Sequence, residues 1–472
     1  MSDEPGSSPA ERRASPAHAG PEHIEPSGFQ REVWGTRLGF VLAATGSAVG
    51  LGNMWRFPYL TAERGGAAFV LVFIVILVLV GIPILLAEFN VGRRTGLSPI
   101  GALRASGGRA WAPLGYFFVA TGMLILAYYS VIAGWVTRYA IQGLLAGFPT
   151  ETGLYFSQIS QGFGAIGYHL FFMTAVVAIV MVGIEKGIER ASLFMMPLLF
   201  LLVIGIAVYA TTLPGSGPGY SFYLTPDLRA AFSLGTIAAA AGQAFFTLSL
   251  GMGAMLTFAS YLAKKESLPR EAVIISGTDF SVAFVAGLAV FPIIFAFGLQ
   301  DQVGASTVGA LFISLPRAFA EMGSFGRAAG VAFFVTLFIG AITSAISLLE
   351  VVTASLIDEW GVKRKFAAAG AGVIITLIGF WPAMDLDILS VMDEVAGQLF
   401  LVIGALMLSV FVGWRLRDPL AELLVGTSPG ARLWLLAWLW TLRIIVPALL
   451  LVVLWQSGRS AVASIVSLFS GG

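Results

Sequence analysis

From Ala67 to Ala87 the chain carries no charged or hydrogen-bonding side chain. A run of that length matches the roughly 20 apolar residues a helix needs to cross the hydrocarbon core of a bilayer. The pattern recurs, and spans are predicted near 38–60, 66–90, 113–142, 166–184, 191–212, 232–262, 271–299, 329–357, 366–383, 396–415 and 433–455. That makes eleven transmembrane helices in an all-α membrane protein. Composition agrees. Hydrophobic residues make up 57% of the 472 residues and charged residues only 11%, against about 25% charged in soluble domains. The stretch after Gln456 is too short for a twelfth crossing.

Residues 1–28, rich in Pro, Ser, Glu and Ala, read as a disordered tail, because no apolar stretch succeeds Arg12 and Arg13 as it would in a signal peptide. Lysine and arginine gather in alternate loops: Arg93, Arg94, Arg104 and Arg109; Lys186 and Arg190; Lys264, Lys265 and Arg270; Lys363, Arg364 and Lys365; Arg415, Arg417 and Arg432. This bias places those loops and the N-terminus in the cytoplasm, and the C-terminus outside.

The chain has no cysteine and three histidines, of which only His169 lies near an apolar segment. Thiolate metal sites, zinc or haem centres and a Ser-His-Asp triad have almost nothing to be built from. A formal net charge of +1 gives no reason to expect a nucleic-acid partner. These absences point away from enzymes, an intramembrane hydrolase included, and no cofactor beyond ions is expected.

Two predicted spans are poor helix material. The first contains Gly46-Ser47-Ala48-Val49-Gly50-Leu51-Gly52-Asn53, and the sixth contains Thr247-Leu248-Ser249-Leu250-Gly251-Met252-Gly253. Each glycine costs about 1 kcal/mol against alanine in a helix. Non-helical backbone inside a membrane persists only where it lines a cavity or is buried in protein. Small residues also let helices pack closely. Yet the two interruptions fall at corresponding places, first in spans 1–5 and first in spans 6–10, which points to a binding site between inverted repeats.

These residues resemble the neurotransmitter:sodium symporters, in the prokaryotic amino-acid transporter branch. The likeness begins at Arg31-Glu32-x-Trp34-x-x-Arg37-Leu38-Gly39 and runs through the first-span segment to Trp55-Arg56-Phe57-Pro58-Tyr59. It continues at Glu63-x-Gly65-Gly66, Gly81-Ile82-Pro83-x-x-x-x-Glu88, Tyr128-Tyr129, Gln243-x-Phe245-Phe246-Thr247-Leu248-Ser249, Ser260-Tyr261 and Thr343-Ser344. The resemblance implies a leucine-transporter-like fold of inverted five-helix repeats with broken helices 1 and 6. Residues 29–212 would form the first repeat, 213–416 the second, and 417–472 helix 11 with a C-terminal tail.

It also implies a sodium-coupled symporter that binds two Na+ ions. Sodium, a hard cation, takes oxygen ligands. The first site would use Ala48, Asn53, Thr247, Asp279 and the substrate's carboxylate. The second would use Gly46, Val49 and Gly340 carbonyls with the Thr343 and Ser344 hydroxyls. Asp279 stands where many members carry asparagine. No basic residue answers it within its span, and an intramembrane carboxylate is a functional candidate by default. The chloride-binding positions of animal relatives correspond to Phe73 and Ala283, so transport is expected to be chloride-independent.

Gly50 stands where monoamine members carry an aspartate, which suits a substrate bringing its own carboxylate. By resemblance Leu51 and Gly52 amides and the Tyr129 hydroxyl would hold that group, and Ala48 and Gly50 would border it. Ile125, Phe246, Ser249, Met252, Ala345 and Leu348 would line an uncharged side-chain pocket suited to a neutral, hydrophobic amino acid. Arg56 with Asp393 resembles the outer gate. Arg31 with Asp358 resembles the inner one, beside Trp34 and Tyr261. Glu88 is expected to accept from amides freed by the sixth-span break. Two rival readings are a symporter of another carboxylate-bearing solute and a receptor that binds amino acid without moving it. The sequence leaves oligomeric state open.

Overall fold

The computed structural model describes residues 32–227, 233–300, 310–428 and 430–470, and every regular element among them is helical. The predicted tail at 1–28, and Arg31 with it, lies outside the described residues. Among the described residues nine helices are long and apolar enough to cross a membrane, and a bent pair, Arg37–Ala48 with Gly52–Glu63, makes a tenth. The sixth predicted span is divided into Leu234–Thr247 and Ala254–Ser260, neither of which is long enough alone. By length and composition the count is therefore nine or ten, and eleven only when this divided segment is taken as one crossing.

Local chemistry sets the boundaries. Thr36 caps the first helix by accepting from the Gly39 amide at 2.9 Å, and Ser233 does the same for Thr236 at 3.0 Å, each satisfying an orphan donor of a first turn. Several helices outrun their predicted spans: the eighth runs Gly323–Trp360 and the tenth begins at Leu386, while the seventh, Leu268–Ala296, is shifted three residues toward its N-terminus. The predicted tail after 455 continues as helix to Ser470. Apolar runs mark only the part of a helix inside lipid, whereas the backbone ladder continues past it while nothing breaks it. Short helices at Pro99–Gly107, Thr152–Ile159, Gly217–Leu224 and Leu315–Glu321 fill the connections.

Burial sorts the helices. The third, Arg109–Ala146, and the eighth, Phe325–Trp360 over its apolar length, have 78% of their most apolar stretch buried, against 33% for the fourth, the fifth and the last. The first two pack on each other at the centre. The latter three present apolar side chains outward, as lipid-facing helices do. The two broken segments lie inside this shell.

Candidate functional site

In the first break the helix ends at Ala48, Val49 turns extended (φ −74°, ψ 101°), and helix resumes at Gly52 with a 47° bend. The freed groups are answered locally. The Gly50 amide donates to Asn53 Oδ1 at 3.0 Å and the Leu51 amide to the Tyr129 hydroxyl at 3.3 Å. Gln243 Nε2 donates to the Gly52 carbonyl at 2.9 Å. In the second break Ser249 takes a positive φ of 53° and Gly251 one of 79°. A β-carbon at Gly251 would collide with the Leu401 carbonyl, so this turn needs glycine. Ser249 is held in its rarer backbone region by its hydroxyl, which donates to the Ser47 carbonyl at 2.7 Å and ties one break to the other.

Glu88, fully buried, accepts from the Gly251 amide at 2.8 Å and the Leu256 amide at 3.0 Å. This is the role expected of it: a carboxylate takes the place of the missing helical carbonyls.

Asn53, Thr247 and Asp279 come together. Asn53 Nδ2 donates to Asp279 Oδ1 at 2.8 Å and to the Asp279 carbonyl at 3.1 Å. The Thr247 hydroxyl donates to both Asp279 carboxylate oxygens, at 3.0 and 3.2 Å. All three side chains are almost completely buried. Neutral donors around one carboxylate compensate part of its desolvation; the Thr247 and Asp279 oxygens lie together, while Asn53 turns its amide nitrogen to the carboxylate and its Oδ1 to the Gly50 amide. No group of three or more acidic or histidine side chains suited to a metal occurs among the described residues, so the Asp279 carboxylate stands with neutral oxygen-bearing groups and not with other acids.

On the other side of the first break the Ser344 hydroxyl reaches the Gly46 and Ser47 carbonyls at 3.3 and 3.2 Å. Gly340 backs onto Val49 and Gly50. Thr343 Oγ1 donates to the Ile339 and Gly340 carbonyls at 2.9 and 3.1 Å. The five residues read as a second ion site thus share one interface between the first break and the eighth helix.

Between the breaks lies a cavity of about 20 Å³, little more than one water molecule needs. Ala48, Gly50, Gly52, Ile125, Tyr129, Phe246, Ser249, Met252 and Leu348 line it as expected, together with Ser47 and Ser344. Leu51 and Ala345 do not. Leu51 contributes its amide to Tyr129 while its side chain is buried elsewhere. Ala345 is one residue past Ser344, so it is turned about 100° away on the helix, whereas Leu348, one turn on from Ser344, faces inward. The cavity's lining carries no charge.

The outer pair is apart. Arg56 lies over the Phe246 ring, 4.9 Å from its centroid, and its Nη1 is buried without a hydrogen-bond partner. Asp393 Oδ1 instead accepts from the Tyr128 hydroxyl at 2.8 Å. The opposite, N-terminal side is tightly laced. Trp34 donates its indole N–H to the Phe258 carbonyl at 2.9 Å and its amide to the Tyr261 carbonyl at 3.2 Å. Asp358 accepts from the Ser98 amide at 2.7 Å. The Tyr261 hydroxyl donates to Glu350 at 2.7 Å, and Arg364 pairs with the same buried carboxylate at 2.6 Å and with Glu32 at 3.6 Å. Sequence reasoning missed Glu350, although a carboxylate inside the predicted eighth span was itself the signal. It also missed Ser47, whose hydroxyl meets that of Ser347 at 2.7 Å.

Comparison with known proteins agrees with this geometry. The Sodium:neurotransmitter symporter family profile matches residues 31–153 and 150–464. An uncharacterized sodium-dependent transporter of Bacillus subtilis is 36% identical over 439 residues, covering 89% of this chain and 96% of the relative. Another, from Methanocaldococcus jannaschii, is 35% identical over 406 residues, 82% of each chain. The crystal structure of MhsT in complex with L-phenylalanine superposes with a TM-score of 0.83 at 40% identity, covering 91% of this chain and all of that one. With two broken helices meeting at a buried carboxylate and oxygen cluster on a leucine-transporter-like fold, the chain belongs to the sodium:neurotransmitter symporter family, whose members are sodium-dependent membrane transporters and not enzymes.

Proposed function

We propose that this symporter imports a hydrophobic neutral L-amino acid with two sodium ions, by alternating access and without chloride. The observation that carries the reading is the uncharged cavity set against the Asp279–Asn53–Thr247 cluster. The cavity offers no side-chain counter-charge to an acidic or basic substrate, which disfavours both by desolvation. MhsT, solved with L-phenylalanine, holds a substrate of the proposed class. The cavity's size means Met252, Phe246 or Leu348 must draw back on binding, and the flexible Met252 is suited to do so.

Two ions also fit the energetics. One sodium ion crossing 100 mV gains about 2.3 kcal/mol, and a tenfold gradient adds about 1.4 kcal/mol. Two ions then supply about 7 kcal/mol, enough for roughly 10⁵-fold accumulation of a neutral solute. Chloride independence rests on Phe73, packed among Phe57, Phe69 and Phe280, and on Ala283, one turn after Asp279. Neither offers an anion a donor, and Asp279 supplies the negative charge. The same proposal takes eleven crossings, repeats over 29–212 and 213–416, a bacterial inner membrane and a cytoplasmic N-terminus.

The test is uptake of labelled amino acids by proteoliposomes under an inward sodium gradient, with potassium replacing sodium as control. Sodium-driven accumulation of hydrophobic amino acids, unchanged when gluconate replaces chloride, is expected. Accumulation of a different carboxylate-bearing solute would move the substrate assignment. Sodium-dependent binding with no accumulation would make the chain a receptor, and a rate that needs chloride would end the chloride claim.

Distances at the site set two further outcomes. A β-carbon at Gly50 would lie 2.5 Å from Ser344 Oγ and 2.9 Å from the Tyr129 hydroxyl. Overpacking of this kind costs about 1–3 kcal/mol. Gly50→Ala should therefore weaken equilibrium amino-acid binding about ten- to hundredfold while the protein stays folded. At the outer gate, Tyr128 competes with Arg56 for Asp393. A hydrogen bond to a charged group contributes about 1.5–3 kcal/mol, so Tyr128→Phe should favour the Arg56–Asp393 pair and slow substrate dissociation about tenfold. Dissociation at the original rate would remove Tyr128 from the gate.

A further inference from the structure

Spans ten and eleven meet at two facing π-helical turns, Phe411–Arg415 and Thr441–Ile445. Arg443 stands in the second of these, within the last membrane-crossing helix. Its Nε donates to the Gly413 carbonyl at 2.6 Å, one of the last carbonyls of the tenth helix, which has no partner further along the ladder. Its guanidinium lies 5.4 Å from the Trp414 ring and 5.3 Å from the Trp440 ring. Both indoles face outward, 64% and 53% exposed, and Ile444 and Ile445 beside them are also exposed.

No carboxylate pairs with Arg443 among the described residues. Among the described residues the Nε contact is the hydrogen bond this guanidinium makes to protein, so its two terminal N–H₂ groups remain unengaged beside the exposed indoles. An arginine within a span needs an anion or water, and this one is framed by the tryptophans that favour the headgroup level. Arg415, Arg417 and Arg432 are exposed at the same ends of the two helices and outnumber the exposed Asp418 beside them, which adds positive potential.

We propose that Arg443, with Trp414 and Trp440, forms a binding site for the phosphate of an anionic phospholipid at the junction of spans ten and eleven. The two free guanidinium nitrogens form a fork that matches two phosphate oxygens. The indoles pack on the glycerol and upper acyl carbons, and the neighbouring arginines favour a net-negative headgroup. The lipid would thereby clamp the two π-helical turns together from the outside.

The probe is phosphatidylglycerol added to delipidated full-length protein in detergent, with bound lipid counted by native mass spectrometry. Phosphatidylcholine and inorganic phosphate serve as the other arms. Wild-type protein should retain phosphatidylglycerol in preference to phosphatidylcholine, and inorganic phosphate should not displace it. Near a membrane surface one arginine contributes about a fivefold change in anionic-lipid affinity, so Arg443→Gln should bind about fivefold less. Arg443→Lys, which keeps the charge and guards against a folding defect, should fall between them, because it lacks the fork. Equal retention by Arg443→Gln overturns the site. Equal retention of phosphatidylcholine overturns the anionic preference, displacement by inorganic phosphate makes the ligand a free anion, and full retention by Arg443→Lys overturns the forked contact.

Discussion

Asp279→Ala should abolish sodium-driven uptake, with sodium affinity lower by two orders of magnitude or more. The carboxylate is the acceptor for Asn53 and for Thr247, so its loss removes the proposed charged ligand, strands the Thr247 hydroxyl and leaves Asn53 only the Asp279 backbone carbonyl. Hydrogen bonds to a charged group contribute about 1.5–3 kcal/mol each, so two account for roughly a hundredfold or more. The missing ion–carboxylate attraction adds to that. Asp279→Asn is the informative companion, because it keeps an oxygen and the local shape while removing the charge. Binding of labelled amino acid titrated with sodium separates the two variants: both should require more sodium than wild type, alanine far more than asparagine. If Asp279→Ala kept its sodium dependence, the first ion would have to be held elsewhere and the cluster would be structural. The fall should be seen at saturating amino acid, since Asp279 does not line the cavity.

The two breaks and the buried carboxylate beside them were legible because they violate local rules. Glycines crowded at 50 and 52, and again at 251 and 253, are poor material for a continuous membrane helix, although Gly46 stays helical, and Asp279 has no reason to be in lipid. Glu88 was legible for the same reason, as a carboxylate in an otherwise apolar run. Contact between residues far apart in the chain was not legible. Glu350 meets Tyr261, Arg364 and, through Arg364, Glu32, and no spacing in one helix encodes a cluster assembled from four segments. Arg56 and Asp393 show a different limit. Their likeness to a gate pair says which groups can meet, while the conformation decides whether they do, and here Phe246 and Tyr128 hold them apart. The misplacement of Ala345 came from grouping neighbours in sequence where the helix turns each residue about 100° from the last. Helix ends were misjudged because hydropathy reports the lipid boundary, whereas hydrogen bonding continues into water.

Glu88→Ala should be among the most damaging single changes in the protein, and it should act on stability before it acts on transport. The Glu88 carboxylate is completely buried and takes the place of backbone carbonyls for Gly251 and Leu256. Truncation strands both amides where water does not reach, and each unsatisfied buried donor costs about 1–3 kcal/mol. Removing the side chain also leaves a cavity, which adds a few kcal/mol in tightly packed sites. The sum rivals the roughly 5–15 kcal/mol by which a typical domain is stable. The expected result is a large fall in thermal midpoint in detergent, or loss of folded protein. Glu88→Gln isolates the cause, because its amide oxygen can accept from one of the two backbone donors while its NH₂ meets the other unfavourably. It should fold with a reduced midpoint, and sodium binding should weaken because Thr247 and Ser249 lead directly into the turn that Glu88 holds. A Glu88→Gln protein with unchanged midpoint and unchanged sodium affinity would mean that the second break keeps its shape without the carboxylate, and that Gly251 and its positive φ are sufficient.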